Sequence, residues 1–487
     1  MKSLVYQFNI IVILFLITIT TYGLSKDIKN YNKKIAIVHY RVGKTDGVSL
    51  EIEKRKQILE SMGHVVKLIC GPIQNGANFI IDEFEFENPE IKRIKENSFK
   101  NFSKNDLKPN QLLKKINSIS QTIETKFLDY YKKEKFDIIL IHNIFSLGLH
   151  LPAALAFYNI SKKLEIPIIA THHDFYWERK TFKTPTNNFI KNFLEKYIPP
   201  KNNNIIHICI NSLAQKDLKS KRNIDSIIFP DVFDFGQNPW IKDNYNSDLL
   251  EKIGAKQNDL IVLQATRIVQ RKGIEIAIQF VKELEKQKEK LIGKRLYNGK
   301  IITKDSSVIL LLTGYPEKFD LSYFEKLKKE AKKYKINAKF IHEIINSKRS
   351  YKNWQKKYSL WDAYVFADIV TYTSLWEGWG NQFIEAVFAK KPIVVFEYPV
   401  FKKDIKKEGY FIISLGEKLE YNNKIGLVKI RKKIVKNAVN QAIENLTSNK
   451  TQKFLEKNFN IGKMYHGFDS LKNFLRKLLN GNANHLF

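Results

Sequence analysis

The stretch from Asp368 to Pro392 leaves few folds open to this chain. Its first six residues, DIVTYT, end in branched and aromatic side chains, a strand pattern. The following turn holds Gly378, Trp379, Gly380 and Asn381. Apolar residues at Phe383, Ile384, Val387 and Phe388 then recur at helical spacing. Strand, glycine turn and helix start together present free backbone N–H groups to an anion. Glu377 stands before the turn and Glu385 in the helix, with seven residues between them.

The same alternation runs through the chain. Its 487 residues, 44% hydrophobic, are enough for two or three domains with ample core and exclude a disordered polymer. Lys34–Tyr40 reads as a buried strand, Arg41–Ser49 as a loop with Gly43 and Gly47, Leu50–Met62 as a helix and Val65–Cys70 as a second strand. That is a Rossmann-type opening without GxGxxG, so a dinucleotide site is not supported. Strands follow at Phe136–His142 and Ile166–Thr171, and His172-His173-Asp174 lies directly at the carboxyl end of the latter. Ligands of open α/β sheets bind just outside strand carboxyl ends. Two adjacent histidines can also be structural or a metal pair, but no third ligand stands at metal spacing.

A second run begins near Asp259. The strand Leu260–Ala265 precedes the basic turn Thr266–Gly273, and Ile274–Leu284 is a helix. Arg can fork onto phosphate and Lys adds a mobile point charge, although a basic turn can equally be a solvated surface. Val308–Thr313 and Lys339–His342 read as strands, Lys352–Ala367 as a helix, and Arg431–Leu446 and Lys453–Leu479 as amphipathic helices. Leu291–Ser307 reads as a basic insert.

The run E-G-W-G-N-Q-F-I-E resembles the E-x7-E signature of the retaining glycosyltransferases of family 4. Three further stretches match that family in order. His173-Asp174 resembles its His-Asp pair, and Pro230–Asp234 its interdomain turn. Thr266–Gly273 resembles its G-R-x4-K-G clamp, with Thr266 where glycine is usual and Arg267 and Lys272 as the cations. The resemblance implies an α/β chain of GT-B fold: two Rossmann-like domains facing a cleft, behind an N-terminal hydrophobic segment. The expected division is 1–30 for that segment, 31–240 for an acceptor domain, 241–455 for a nucleotide-sugar domain, and 456–487 for a helix crossing back to the first.

The implied reaction moves a hexose from a nucleoside diphosphate sugar to an acceptor hydroxyl with retention, with no metal or other cofactor. Arg267, Lys272, Gly380, Asn381 and Gln382 would hold the diphosphate, and Glu385 the ribose. His173, Asp174 and Glu377 would face the transferred sugar, beside the loop residues Gly43, Gly47, Gly378 and Trp379. His342 and Ile344 would lie near the base. The rivals are a glycosidase, a sugar-nucleotide epimerase of the same fold, and a non-enzymatic basic protein that binds membrane or RNA.

Composition bears on the partners. A formal charge of +32 favours anionic partners, or reflects lysines scattered over solvated faces. No nucleic-acid-binding motif is visible, so no nucleic acid is expected. Cys70 and Cys209 sit in apolar runs without a CxxC pattern, which suits buried thiols in a reducing compartment. Ser3–Ser25 carries no charge and is long enough to span a bilayer, with Lys26, Lys29, Lys33 and Lys34 behind it. A membrane anchor with cytoplasmic catalytic domains and a saccharide or lipid-linked acceptor is the expectation. A cleaved signal peptide, with a secreted product, is the alternative. N-terminal sequencing should recover residues ahead of Lys26 in a membrane fraction. A mature N-terminus near Leu24 in secreted material would contradict the anchor.

Overall fold

A computed structural model describes residues 32–480 apart from 44–45, 73–75, 86, 103, 105, 318–319, 353 and 423–425. The expected hydrophobic segment 1–30 lies outside the described residues. Among those described, no helix is long and apolar enough to cross a membrane.

The first sheet has seven strands: β1 (Lys34–Val38), β2 (Val65–Cys70), β3 (Phe79–Ile80), β4 (Ile138–His142), β5 (Ile168–His172), β6 (Ile205–Cys209) and β7 (Ile227–Ile228). Their order is β3-β2-β1-β4-β5-β6-β7, and every pairing is parallel. Strands β4 and β5 are buried along their whole length, as a parallel sheet covered on both faces requires. The order reverses between β1 and β4. A crevice therefore opens at their carboxyl ends, where His39 and His142 lie.

The second sheet is built the same way from β8 (Leu260–Gln264), β9 (Val308–Leu312) and β10 (Asn337–Phe340), continued after a small excursion, β11 (Ile345–Asn346), β12 (Ser350–Lys352) and β13 (Gln355–Ser359), by β14 (Ile369–Tyr372), β15 (Ile393–Val395) and β16 (Ile413–Ser414). Its order is β10-β9-β8-β14-β15-β16. The reversal falls between β8 and β14, so the basic turn and the glycine turn leave the sheet side by side. A two-stranded ribbon, β17 (Glu420–Asn422) and β18 (Leu427–Lys429), flanks this sheet.

Two helical expectations need correction. Lys352–Ala367 is not one helix: β12 and β13 form an antiparallel pair, and only Leu360–Phe366 is helical. The Tyr245 hydroxyl donates to the carbonyls of Ser350 (3.0 Å) and Lys357 (2.8 Å), fixing the extended chain. Asp362 then accepts from the backbone N–H of Ser359 at 2.8 Å and caps the short helix. The run Lys453–Leu479 is also two helices, Thr451–His466 and Phe468–Leu479, broken at Gly467. A side chain there would sit 2.3 Å from the Lys463 carbonyl oxygen.

The last helix returns to the first sheet. Leu471, Phe474, Leu475, Leu478 and Leu479 share a core with Ile37, Ile58 and Phe229, and the Phe229 and Phe474 rings stack at 4.0 Å. The second sheet has its own larger core, which includes Phe235 and Leu249 from the connecting segment. The Leu291–Ser307 stretch contributes Leu291, Leu296 and Ile302 to it and is therefore not merely a basic surface insert. Cys70 and Cys209 are buried free thiols.

Candidate functional site

The carboxyl edge of the second sheet is assembled by backbone contacts between the two turns. Gly273 adopts a left-handed backbone (φ +57°), and a Cβ there would lie 2.4 Å from the Thr373 carbonyl oxygen. The Leu375 N–H donates to the Arg271 carbonyl at 2.8 Å, and the Thr373 hydroxyl to the Lys272 carbonyl at 3.2 Å. Thr266, in the position where glycine was expected, receives a hydrogen bond from the Gln264 side-chain amide at 2.8 Å. These contacts press the basic turn against the stretch that carries Glu377.

Glu377 is buried and holds two cations: Lys272 Nζ on Oε1 and the Arg271 guanidinium on Oε2. Burial pushes the Glu377 carboxyl up, but Lys272 and Arg271 outweigh it and hold the group below the usual carboxylate range. Two cations against one carboxylate leave one positive charge in excess. It lies beside the helix Asn381–Phe388, whose cap position, Gly380, offers no side-chain oxygen to the free N–H groups. Lys272 Nζ also donates to Gln382 Oε1 at 3.4 Å. Arg267, expected as the second cation of this group, is half-exposed and pairs with Glu317 instead. Arg271 takes its place on Glu377, a residue the sequence reading did not single out. The signal was its position in the same turn, one residue before Lys272.

Glu385 is one helical turn further in. Tyr364 donates its hydroxyl to Glu385 at 3.2 Å, and burial pushes the carboxyl up to about 7. Trp379 does not face the crevice: it is buried in the second core with its ring 5.3 Å from that of His466, and its carbonyl accepts from Tyr398 at 2.6 Å.

The facing wall comes from the first sheet. The His173 N–H donates to Asn143 Oδ1 at 3.0 Å, and Asn143 itself has a left-handed backbone (φ +56°). His173 Nδ1 lies 3.5 Å from Asp231 Oδ1, and Nε2 lies 3.5 Å from His142 Nδ1. Burial pushes His173 down to about 4, so its ring is neutral at physiological pH. Asp174, its neighbour, points to a different partner: it pairs with Arg179, which lies over the Trp376 ring. Gly43 has a left-handed backbone (φ +67°), and Gly47 opens the helix Gly47–Ser61, capped by Asp46. His342 and Ile344 lie in a turn after β10, where His342 packs edge-on against Phe324.

The two walls touch. A Cβ on Gly378 would lie 3.0 Å from the His173 carbonyl oxygen. Asn211 donates its amide to the Gly378 carbonyl at 2.8 Å, and Asn381 donates its amide to Asp231 Oδ2 at 3.2 Å. Asp404 accepts from both the N–H (2.7 Å) and the hydroxyl (2.6 Å) of Ser212. Asn143, Asn211, Asp231 and Asp404 were not singled out from sequence as members of the site. Among the described residues, no three of His, Cys, Asp and Glu are grouped so as to hold a metal ion.

Comparison with known proteins gives this geometry a family. The sequence model of the group 1 glycosyl transferases matches residues 246–445. The chain is 45% identical over 388 residues to the mannosylglucosylglycerate synthase of Petrotoga mobilis, covering 80% of this chain and 88% of that one. It is 38% identical over 451 residues to the mannosylglucosylglycerate synthase of Thermotoga maritima, covering 91% and 99%. Among solved structures, Anabaena HepE in complex with UDP and glucose matches 92% of this chain and all of its own. Its TM-score is 0.53 and its identity 14%, a likeness of fold.

The raised pKa of Glu385 yields a stability prediction. The fold favours the protonated form, so that contribution is whole below about 4.5 and is lost as pH rises through about 7. Glu385→Gln keeps the shape and removes the titration. The variant should gain on the wild type by about 3 kcal/mol between pH 4.5 and 8. Thermal melts across that range should show the two curves diverging with pH; parallel curves would contradict a carboxyl held neutral by burial.

Proposed function

The chain belongs to the group 1 glycosyltransferases and has the GT-B fold, and from that premise we propose that it transfers a mannosyl group from a nucleoside diphosphate mannose to glucosylglycerate, with retention of anomeric configuration. The observation that carries the donor half of this reading is the buried Lys272–Glu377–Arg271 group with its excess positive charge. The acceptor half rests on the name shared by two relatives that cover most of the chain.

In such a transfer the developing charge is on the leaving diphosphate. Lys272, Arg271 and the N–H groups at Asn381 and Gln382 would stabilise it without a metal or other cofactor. Glu385, deeper on the same helix, would accept from the ribose hydroxyls. Glu377 would keep the two cations aligned and accept from a sugar hydroxyl. A neutral His173 would accept a hydrogen bond from a sugar hydroxyl rather than present a charge. The leaving phosphate would itself take the acceptor proton. The loop holding Gly43 and Gly47 would border the acceptor. The stretch ahead of Lys26 would tether the enzyme to a membrane.

The direct test incubates the protein with UDP-, GDP- and ADP-linked mannose and glucose, each with and without glucosylglycerate. A mannosylated acceptor by mass spectrometry, with the α configuration of the donor by NMR, supports the reading. A changed nucleotide sugar released without acceptor would instead indicate an epimerase. Lys272→Ala and Arg271→Ala should each lower turnover by about 10²–10³-fold, the usual cost of losing one leaving-group donor. Arg267→Ala, whose partner is Glu317, should cost less than either. Isothermal titration with free nucleoside diphosphate should show the same ranking. Near wild-type transfer in both clamp variants would remove the assignment.

A further inference from the structure

We propose that Asp231 is a positioning residue, which orients the His173 ring and ties it to the helix that carries Gln382 and Glu385. The inference rests on the reading of His173 as a group beside the transferred sugar.

Asp231 stands where the chain passes from the first sheet to the second. It is buried, and its two oxygens face different domains. Oδ2 accepts from the Asn381 amide at 3.2 Å, at the first residue of the helix Asn381–Phe388. Oδ1 has no hydrogen bond and lies 3.5 Å from His173 Nδ1. Buried polar atoms are rarely left without a partner, and His173 Nδ1 is the group in place to supply one through a small ring movement.

Neighbouring side chains hold this carboxylate in place. The Val232 N–H donates to Glu51 Oε2 at 3.4 Å, and Lys54 bonds both the Val232 carbonyl and Glu51. Burial pushes the Asp231 carboxyl up, while Lys54, the Asn381 amide and the buried Arg55 favour its ionised form. The flanking backbone is thus fixed by the helix Gly47–Ser61 while the side chain bridges two domains.

The chemistry follows from the kinds of group. A neutral imidazole carries one N–H, and the unpartnered Oδ1 of Asp231, which faces Nδ1, can accept it. Asp231 therefore draws the proton of His173 to Nδ1 and sets the tautomer, as a carboxylate behind a histidine generally does. Nε2, on the His142 side, is left as the bare nitrogen. Because Asn381 shares the carboxylate, the ring is registered against the helix proposed to hold the nucleotide. A shift of either domain would move His173 relative to the donor.

The test is a double-mutant cycle with a spectroscopic companion. Asp231→Ala should lower kcat by about 10–100-fold, the usual cost of losing a supporting partner. Free nucleoside diphosphate should bind within about twofold of wild type. Asp231→Asn, whose amide oxygen still accepts from the ring, should stay within tenfold of wild type. In a His173→Ala background, Asp231→Ala should cost little more, because its effect passes through the missing ring. Long-range ¹H–¹⁵N spectra of histidine-labelled protein should place the His173 proton on Nδ1 in the wild type and in Asp231→Asn. The proton should move toward Nε2 in Asp231→Ala.

Equal cost of Asp231→Ala in both backgrounds, or an unmoved tautomer, would overturn the proposal. So would a loss of nucleotide affinity in proportion to the rate. Failure of the underlying reading would look different: His173→Ala would itself transfer at near wild-type rate.

Discussion

A buried carboxylate shared by two buried or half-buried cations is the constraint on which the rest of the site depends. Taking any of these three charges out of water alone costs several kcal/mol. Glu377 between Lys272 and Arg271 cancels most of that cost, provided that all three stay in contact. Contact requires the turns after β8 and β14 to lie against each other. That closeness explains Gly273, which meets the Thr373 carbonyl; a larger residue there would separate the turns and leave buried charges unpaired. Gly314, in the turn after β9, backs the basic turn from its other side, where a Cβ would lie 1.9 Å from the Thr266 carbonyl oxygen.

The parallel-sheet framework was legible in the sequence because it depends on local patterns. Apolar five-residue runs, glycine turns and helical spacing marked the central strands of both sheets, but not the two-residue edge strands Phe79–Ile80 and Ile413–Ser414, too short to show a pattern. The glutamate pair, the His-Asp pair and the basic turn fell at strand carboxyl ends. The hairpin Ser350–Ser359 was misread because lysines and tyrosines at those positions fit either period. What decides it is Tyr245, more than a hundred residues away, binding two carbonyls of the extended chain. Arg267 and Arg271 are chemically identical, and only the fold assigns one to Glu317 and the other to Glu377. Asp231, Asn211 and Asp404 escaped for the same reason. Each makes its contact 150 or more residues away in sequence.

The two walls of the crevice differ in charge as well as origin. The second-sheet wall carries the excess cation. The first-sheet wall near it is lined by histidines that burial keeps neutral: His173, His142 and His39 are all pushed down, His39 to about 4. A nucleoside diphosphate sugar carries its charge centrally, on the diphosphate between an uncharged nucleoside and an uncharged sugar. Lys272 and Arg271 suit the diphosphate, and the neutral histidines opposite suit the sugar.

That asymmetry also bears on why the domains meet where they do. The contacts that join them include the hydrogen bonds Asn211 to Gly378, Asn381 to Asp231 and Ser212 to Asp404, beside Ile210, which enters the second core. Three of the four involve a carboxylate as acceptor, and each such bond contributes only about 1.5–3 kcal/mol net. Water can replace such bonds at modest cost. More extensive apolar contact lies where the helix Phe468–Leu479 stacks Phe474 on Phe229 of the first domain. The two kinds of contact are thus divided in space: charge-assisted hydrogen bonds prevail at the seam beside Glu377 and His173, and apolar packing prevails where the last helix lies on the first sheet.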